Sequence, residues 1–98
     1  MKAPVIGYRI SGDDVLNILK KITKKNFAKD HSLIRIVKLY QIDGSILDEC
    51  SVAFFKSPKS FTGEDVCEIF LHGSPLIASQ FEQLLKELNV HGLRLAKN

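Results

Sequence analysis

Tryptophan is missing from this 98-residue chain, methionine occurs once, and cysteine only at Cys50 and Cys67. The two cysteines lie seventeen positions apart with no Cys-x-x-Cys pair, and a disulfide between them is the lesser of two readings. Both lie in apolar, strand-like runs, where a free thiol behaves as a small hydrophobe, so reduced core or near-core thiols are expected. His31, His72 and His91 are scattered without metal-ligand spacing. No apolar run approaches the roughly 20 residues that span a bilayer. The start, Met1-Lys2-Ala3-Pro4, lacks the apolar stretch of a signal peptide, which leads us to expect a cytoplasmic protein, or an organellar one reached by another signal. There is no Ser-His-Asp grouping, no phosphate-binding P-loop and no G-x-G-x-x-G, so nucleotide hydrolysis by these residues is not expected.

What is present reads as one globular domain, with 45% hydrophobic and 26% charged residues. A chain this short buries only a modest core, so a subunit partner would add much to its stability. Net charge is +3, but it is unevenly spread: Lys20, Lys21, Lys24, Lys25 and Lys29 fall within ten residues. At i, i+4 spacing they share a helix face. They read either as cations at the negative end of a helix dipole or as a contact patch for a phosphate backbone.

Val5 to Ile10 reads as a first strand ending at Ser11-Gly12. Ser11 with Asp14 three positions on resembles a capping box, and Val15, Leu16, Leu19 and Ile22 give a helix over about 13 to 25. Asn26 to Ser32 is a polar connector. Leu33 to Ile42 and Ile46 to Phe55 are β-branched-rich strands, with Asp43-Gly44 supplying the positive φ angles of a tight hairpin. Ser57-Pro58 ends the second of them, residues 60 to 65 form a loop, and Val66 to Leu71 is a fourth strand. Ser74 is a candidate N-cap with Pro75 at the first helical position, and Leu76, Ile77, Phe81, Leu84, Leu85 and Leu88 form an apolar stripe to about Asn89. Leu93 to Ala96 begins a last strand. The order is β-α-β-β-β-α-β, an α+β domain near the split β-α-β arrangement with both helices on one sheet face.

Strand alternation places Val5, Gly7 and Arg9 on one face and Ile6, Tyr8 and Ile10 on the other. Likewise Glu64, Val66, Glu68 and Phe70 oppose Cys67, Ile69 and Leu71. With the helices on the Ile-rich faces, Arg9 and Glu68 share the remaining surface. A carboxylate there accepts paired N–H bonds from a planar heterocycle, and a guanidinium pairs with a carboxylate. The competing reading is a surface ion pair without function. Glu64 and Asp65 precede the fourth strand either as an acid–base pair or as acceptors that fix the loop after Gly63. His72 either hydrogen-bonds a ligand at the strand end or closes the strand–helix turn.

The run Pro58-Lys59-Ser60-Phe61-Thr62-Gly63-Glu64-Asp65-Val66-Cys67-Glu68-Ile69, closed by His72-Gly73, resembles the P-N-S-[FY]-T-G-E-D-x-x-E-[IL]-x-x-H-G-G signature of the MnmE (TrmE) family of tRNA-modification GTPases. Ile6-Gly7-Tyr8-Arg9-Ile10-Ser11-Gly12 is similar to that family's I-G-[IV]-[IV]-R-I-S-G, and Gly92-Leu93-Arg94-Leu95-Ala96 to its G-x-R-x-A. The resemblance implies the family's N-terminal, dimerising module, similar in fold to the folate-binding domain of aminomethyltransferases. It implies a 5-formyl-tetrahydrofolate-type cofactor contacted by Arg9 and Glu68, with Ser11, Glu64 and His72 as supporting residues and no metal. It further implies a homodimer, an FAD-dependent partner of the MnmG (GidA) type, and work on the wobble uridine of tRNA at carbon 5.

Several features depart from the family pattern. Ser74 replaces the second Gly of H-G-G, and Cys67 stands where an aliphatic residue is usual. The family normally has a strand and a Pro-Gly-rich loop before the first motif, and continues beyond G-x-R-x-A into a Lys-bearing segment and a GTPase domain. Residues 1–98 are therefore expected to be a single domain truncated at both ends relative to the family. Two further readings stay open: a self-association module without cofactor, and a small RNA-binding domain, the latter weakened by the lack of an RNP1-like aromatic motif.

Overall fold

A computed structural model describes residues 5–27, 32–57, 63–88 and 94–97, with the backbone alone at positions 32, 33, 94 and 95. Lys29, His31, the 58–62 part of the long motif, His91 and Gly92-Leu93 lie outside the described residues. Five strands, β1 (Val5–Ser11), β2 (Ser32–Tyr40), β3 (Ile46–Phe55), β4 (Val66–His72) and β5 (Arg94–Lys97), form one sheet in the order β2-β3-β4-β1-β5. Every neighbouring pair is antiparallel. Two helices, α1 (Val15–Thr23) and α2 (Pro75–Glu87), complete the α+β fold. Because β1 runs antiparallel to both β4 and β5, the β4-α2-β5 unit is a split β-α-β with β1 inserted, as its sequence pattern suggested.

Alternation explains why both helices lie on one side. Tyr8 and Ile10 of β1, Val37 and Leu39 of β2, Val52 and Phe54 of β3, and Cys67, Ile69 and Leu71 of β4 are all buried on one face. Val15, Ile18, Leu19 and Ile22 of α1, and Ala78, Phe81, Leu84 and Leu85 of α2, recur at helical spacing and close over that face. The Tyr8 and Phe81 rings meet at 4.9 Å, seating α2 on β1. The Tyr8 hydroxyl donates to Glu82 Oε2 at 2.5 Å, and Lys97 Nζ stands 3.6 Å from the same oxygen, so one carboxylate ties α2 to β1 and β5. Both cysteines are free and buried, as expected. Among the described residues no helix is long and apolar enough to cross a membrane.

Two local expectations are corrected. Ser11 forms no capping box: it remains in β1, paired with Val66 and Arg94, and is buried. Gly12, at φ 144°, then turns the chain in a conformation closed to other residues, and the helix starts only at Val15. Asp14 is the N-cap, but its side chain makes no capping bond. The hairpin turn needs one positive φ rather than two. Gly44 alone takes it, at 88°, while its N–H bonds the Gln41 carbonyl at 2.9 Å and Gln41 N–H bonds the Ser45 carbonyl at 2.8 Å. This is a type I turn followed by a left-handed glycine. Asp43 serves by side chain instead, its Oδ1 accepting from Ser45 N at 2.9 Å and Ser45 Oγ at 2.6 Å. Those bonds hold its carboxyl below the usual range.

Ser74 and Pro75 behave as their sequence positions imply. Ser74 is extended, its Oγ accepts from Ile77 N at 3.4 Å, and Pro75 opens α2.

Candidate functional site

Neither helix covers the second face of the sheet. Its rows are set by register: Ile34, Ala53, Glu68, Arg9 and Ala96 align across all five strands, and Ile36, Ser51, Phe70 and Gly7 align in the next row. The parity that put Arg9 and Glu68 on this face is local. That they are direct cross-strand partners follows only from the β1–β4 pairing. Arg9 Nε lies 3.8 Å from Glu68 Oε2, with the two side chains 46% and 31% exposed. Such a pair contributes at most about 1 kcal/mol to stability, and each member keeps enough access to exchange its partner for a ligand.

The other sequence-derived candidates do not converge on that pair. Ser11 and Glu64 lie at the Val66 end of β4, whereas His72 closes its far end, four residues or about 13 Å beyond Glu68. Asp65, next to Glu64, does fix the loop: its Oδ1 accepts from Ser57 N at 2.9 Å and its carbonyl accepts from Gly12 N at 3.1 Å. The N–H its side chain receives thus comes from Ser57, two residues beyond β3, and not from one after Gly63.

His72 is held by a residue that sequence reasoning missed. Asp48 on β3 accepts from His72 N at 2.9 Å through Oδ2 and faces His72 Nδ1 at 2.9 Å through Oδ1. A carboxylate accepts only, so Nδ1 carries the proton and Nε2 is turned outward as acceptor or, when the ring is charged, donor. The sequence carried no signal of it: Asp48 is one of two adjacent acids at the start of β3, and its partner lies 24 residues away.

Between Arg9–Glu68 and His72 the face is apolar and slightly concave. A groove of about 360 Å³ is lined by Val5, Ile36, Phe70, Ser51, Glu49 and His72, with Arg9 and Glu68 in the next row outside it. Gly7 presents no side chain beside Phe70. The face thus combines a flat apolar floor, a carboxylate, a guanidinium and an oriented imidazole. Nucleophilic chemistry by the thiols is not part of it: burial, with a smaller contribution from Asp48, pushes Cys50 up to about 12, and burial pushes Cys67 up to about 12, so both stay protonated.

Comparison with known proteins identifies the family. The family model described as GTP-binding protein TrmE N-terminus matches residues 1–98. A tRNA modification GTPase MnmE from Helicobacter pylori (strain HPAG1) is 49% identical over 90 residues, covering 91% of this chain and 18% of the relative. The protein of that name from Sulfurimonas denitrificans is 44% identical over 89 residues, covering 90% and 19%. Its counterpart from Rickettsia canadensis is 38% identical over 96 residues, covering 98% and 21%. The chain spans about a fifth of the length of the curated relatives it matches. With a match from its first residue to its last, and with the motif residues Arg9 and Glu68 paired on one sheet face, the chain belongs to the TrmE N-terminal family, the N-terminal domain of tRNA modification GTPases of the MnmE kind.

Proposed function

We propose that this chain is the tetrahydrofolate-binding and dimerising module of an MnmE-type tRNA-modification GTPase, taking a 5-formyl-tetrahydrofolate-type cofactor on the sheet face away from the helices. The observation that carries the reading is the exposed, in-register Arg9–Glu68 pair beside an apolar groove. Glu68 accepts the paired N–H groups of a pterin-type ring, and Arg9 answers the carboxylates of a glutamyl tail. The groove's volume lies near the lower end of the range for small-molecule sites, which suits the planar part of such a ligand. A one-carbon unit held there serves modification of the wobble uridine at carbon 5, with an MnmG-type FAD protein as partner. The GTPase activity belongs to the whole protein and not to these residues.

A second reading, an assembly face without cofactor, draws support from Val5, Ile34 and Ile36, which are 64%, 71% and 77% exposed. Ile34 and Ile36 lie on the edge strand β2, where exposed apolar residues are a usual mark of a contact surface.

Calorimetric titration with 5-formyl-tetrahydrofolate separates the two. The parent chain is expected to bind saturably, and Arg9→Ala and Glu68→Ala each to weaken binding at least tenfold. Equal binding by parent and both variants would sink the site assignment. A folded chain that self-associates in sedimentation yet ignores the folate would replace the first reading with the second.

A further inference from the structure

The opposite side of the molecule carries a feature that a folate module does not use. Lys20 and Lys21 occupy the last turn of α1, Lys24 is its C-cap, and Lys25 follows; all four are exposed. None of Lys20, Lys21 and Lys25 has an ionic partner among the described residues, and Lys24 lies over the Tyr40 ring with Nζ 4.2 Å from its centroid. The helix dipole accounts for one or two cations here, not for four. Lys20 and Lys24, one turn apart at the end of α1, are like-charge neighbours, an arrangement that opposes the helix.

The backbone at this point also works against its own preference. Lys24 is the only described residue other than glycine with positive φ, at 59°, in a position where glycine is the usual helix terminator. Thr23 fixes the conformation: its Oγ1 donates to the Leu19 carbonyl at 2.6 Å and accepts from Lys25 N at 3.1 Å. The fold therefore places Lys24 where both local electrostatics and backbone preference disfavour a lysine.

Beside them lies a groove of about 260 Å³ lined by Lys21, Lys24, Tyr40, Ile42, Leu84 and Leu88. Ile42 is 59% exposed. We propose that this surface binds single-stranded RNA, the four lysines taking successive phosphates and the groove receiving one unstacked base against Ile42. The charge selects a polyanion, and a small apolar groove under a cationic rim fits a planar base better than it fits an acidic side chain. An anionic membrane is disfavoured because the apolar side of α1 (Val15, Ile18, Leu19 and Ile22) is buried in the core, leaving no face to insert. The surface is independent of Arg9 and Glu68, which lie on the other side of the sheet.

The test is fluorescence anisotropy of a labelled single-stranded RNA of roughly a dozen nucleotides, titrated with the chain across the salt range. Four phosphate contacts on a single strand give a slope of log K against log salt of about −2.8, hence about 50-fold weaker binding at 200 mM than at 50 mM salt. Lys24→Gly is the decisive variant. Glycine is favoured at positive φ, so its melting temperature is expected to equal or exceed the parent's, while the salt slope falls in magnitude by about 0.7. Joint replacement of Lys20, Lys21, Lys24 and Lys25 by Gln is expected to abolish the slope, and Ile42→Ala to weaken binding without changing it. The proposal is overturned if the parent fails to bind RNA at 50 mM salt, or if Lys24→Gly leaves the slope unchanged. It is equally overturned if polyglutamate or phosphatidylserine vesicles compete as well as RNA does. Folate titration of the same variants reads the other site, so a failure of either site is told apart from a failure of the other.

Discussion

Removing a single oxygen tests how α2 is fastened to the sheet. Tyr8 is 1% exposed, and its hydroxyl donates to a Glu82 carboxylate that also faces Lys97. Tyr8→Phe keeps the ring, and with it the contact to Phe81, and deletes only the donor. Hydrogen bonds to charged acceptors contribute about 1.5–3 kcal/mol when both partners are sequestered. Glu82 reaches solvent and recovers part of that from water, so a loss of about 1 kcal/mol at pH 7 is expected. For a domain of this size, that lowers the melting temperature by about 4–8 °C.

The pH dependence makes this test specific. Burial, then the Glu82 bond and charge, raise the Tyr8 pKa above its ordinary value of about 10. A raised pKa means the folded state keeps a proton that the unfolded state releases. Its stabilisation is complete below pH 10 and is lost as pH rises toward the folded value. As pH rises past 10 the parent loses stability that Tyr8→Phe, lacking an ionisable phenol, keeps, so the gap between the two proteins should close as pH approaches 11. At the acid end the sign reverses. The Tyr8 bond, and then Lys97, lower the Glu82 pKa, so its contribution is present above the unfolded value of about 4.3 and fades as pH falls below it. Urea unfolding of both proteins from pH 3 to 11 gives the comparison. Equal stability at pH 7, or a difference that persists undiminished above pH 10, would refute the arrangement.

Two other perturbations probe the packing and the strand-end latch. Phe81→Ala empties a fully buried position against Tyr8 and should cost about 3–5 kcal/mol in urea unfolding, whereas Leu76→Ala, on a residue 66% exposed in the same helix, should stay within about 0.5 kcal/mol. Asp48→Ala removes the acceptor of both His72 groups and should cost about 1–2 kcal/mol, while His72→Ala, which leaves the backbone bond to Asp48 intact, should cost less than half as much.

Much of the architecture was legible because its signals are local. β3 runs over the expected Ile46–Phe55, and Ser74-Pro75 opens α2 where an N-cap followed by proline should. Misreadings arose where a local signal has two structural outlets. Ser11 followed by Asp14 spells a capping box, yet burial on the sheet kept Ser11 in β1. Asp43-Gly44 spells a two-residue turn with two positive φ angles, yet Asp43 stabilised a one-glycine turn through its carboxylate. Residues joined across long separations left no trace. Nothing near Asp48 announces His72, and Glu82, 74 residues from Tyr8, reads as one more surface acid on a helix.

For the candidate site the division is sharper. Alternation along β1 and β4 is a property of the extended chain, so the sequence by itself determined that Arg9 faces away from Tyr8, and Glu68 away from Ile69. It also determined the lysine-rich end of α1, since i, i+4 spacing is likewise local. Only the tertiary structure decided that β1 lies beside β4 in the register that sets Arg9 against Glu68, and that Tyr40 and Ile42 stand next to Lys21 and Lys24. Parity is fixed within a few residues of backbone, whereas register is selected by burying the whole set of apolar residues at once, and a one-residue slip would turn every one of them outward.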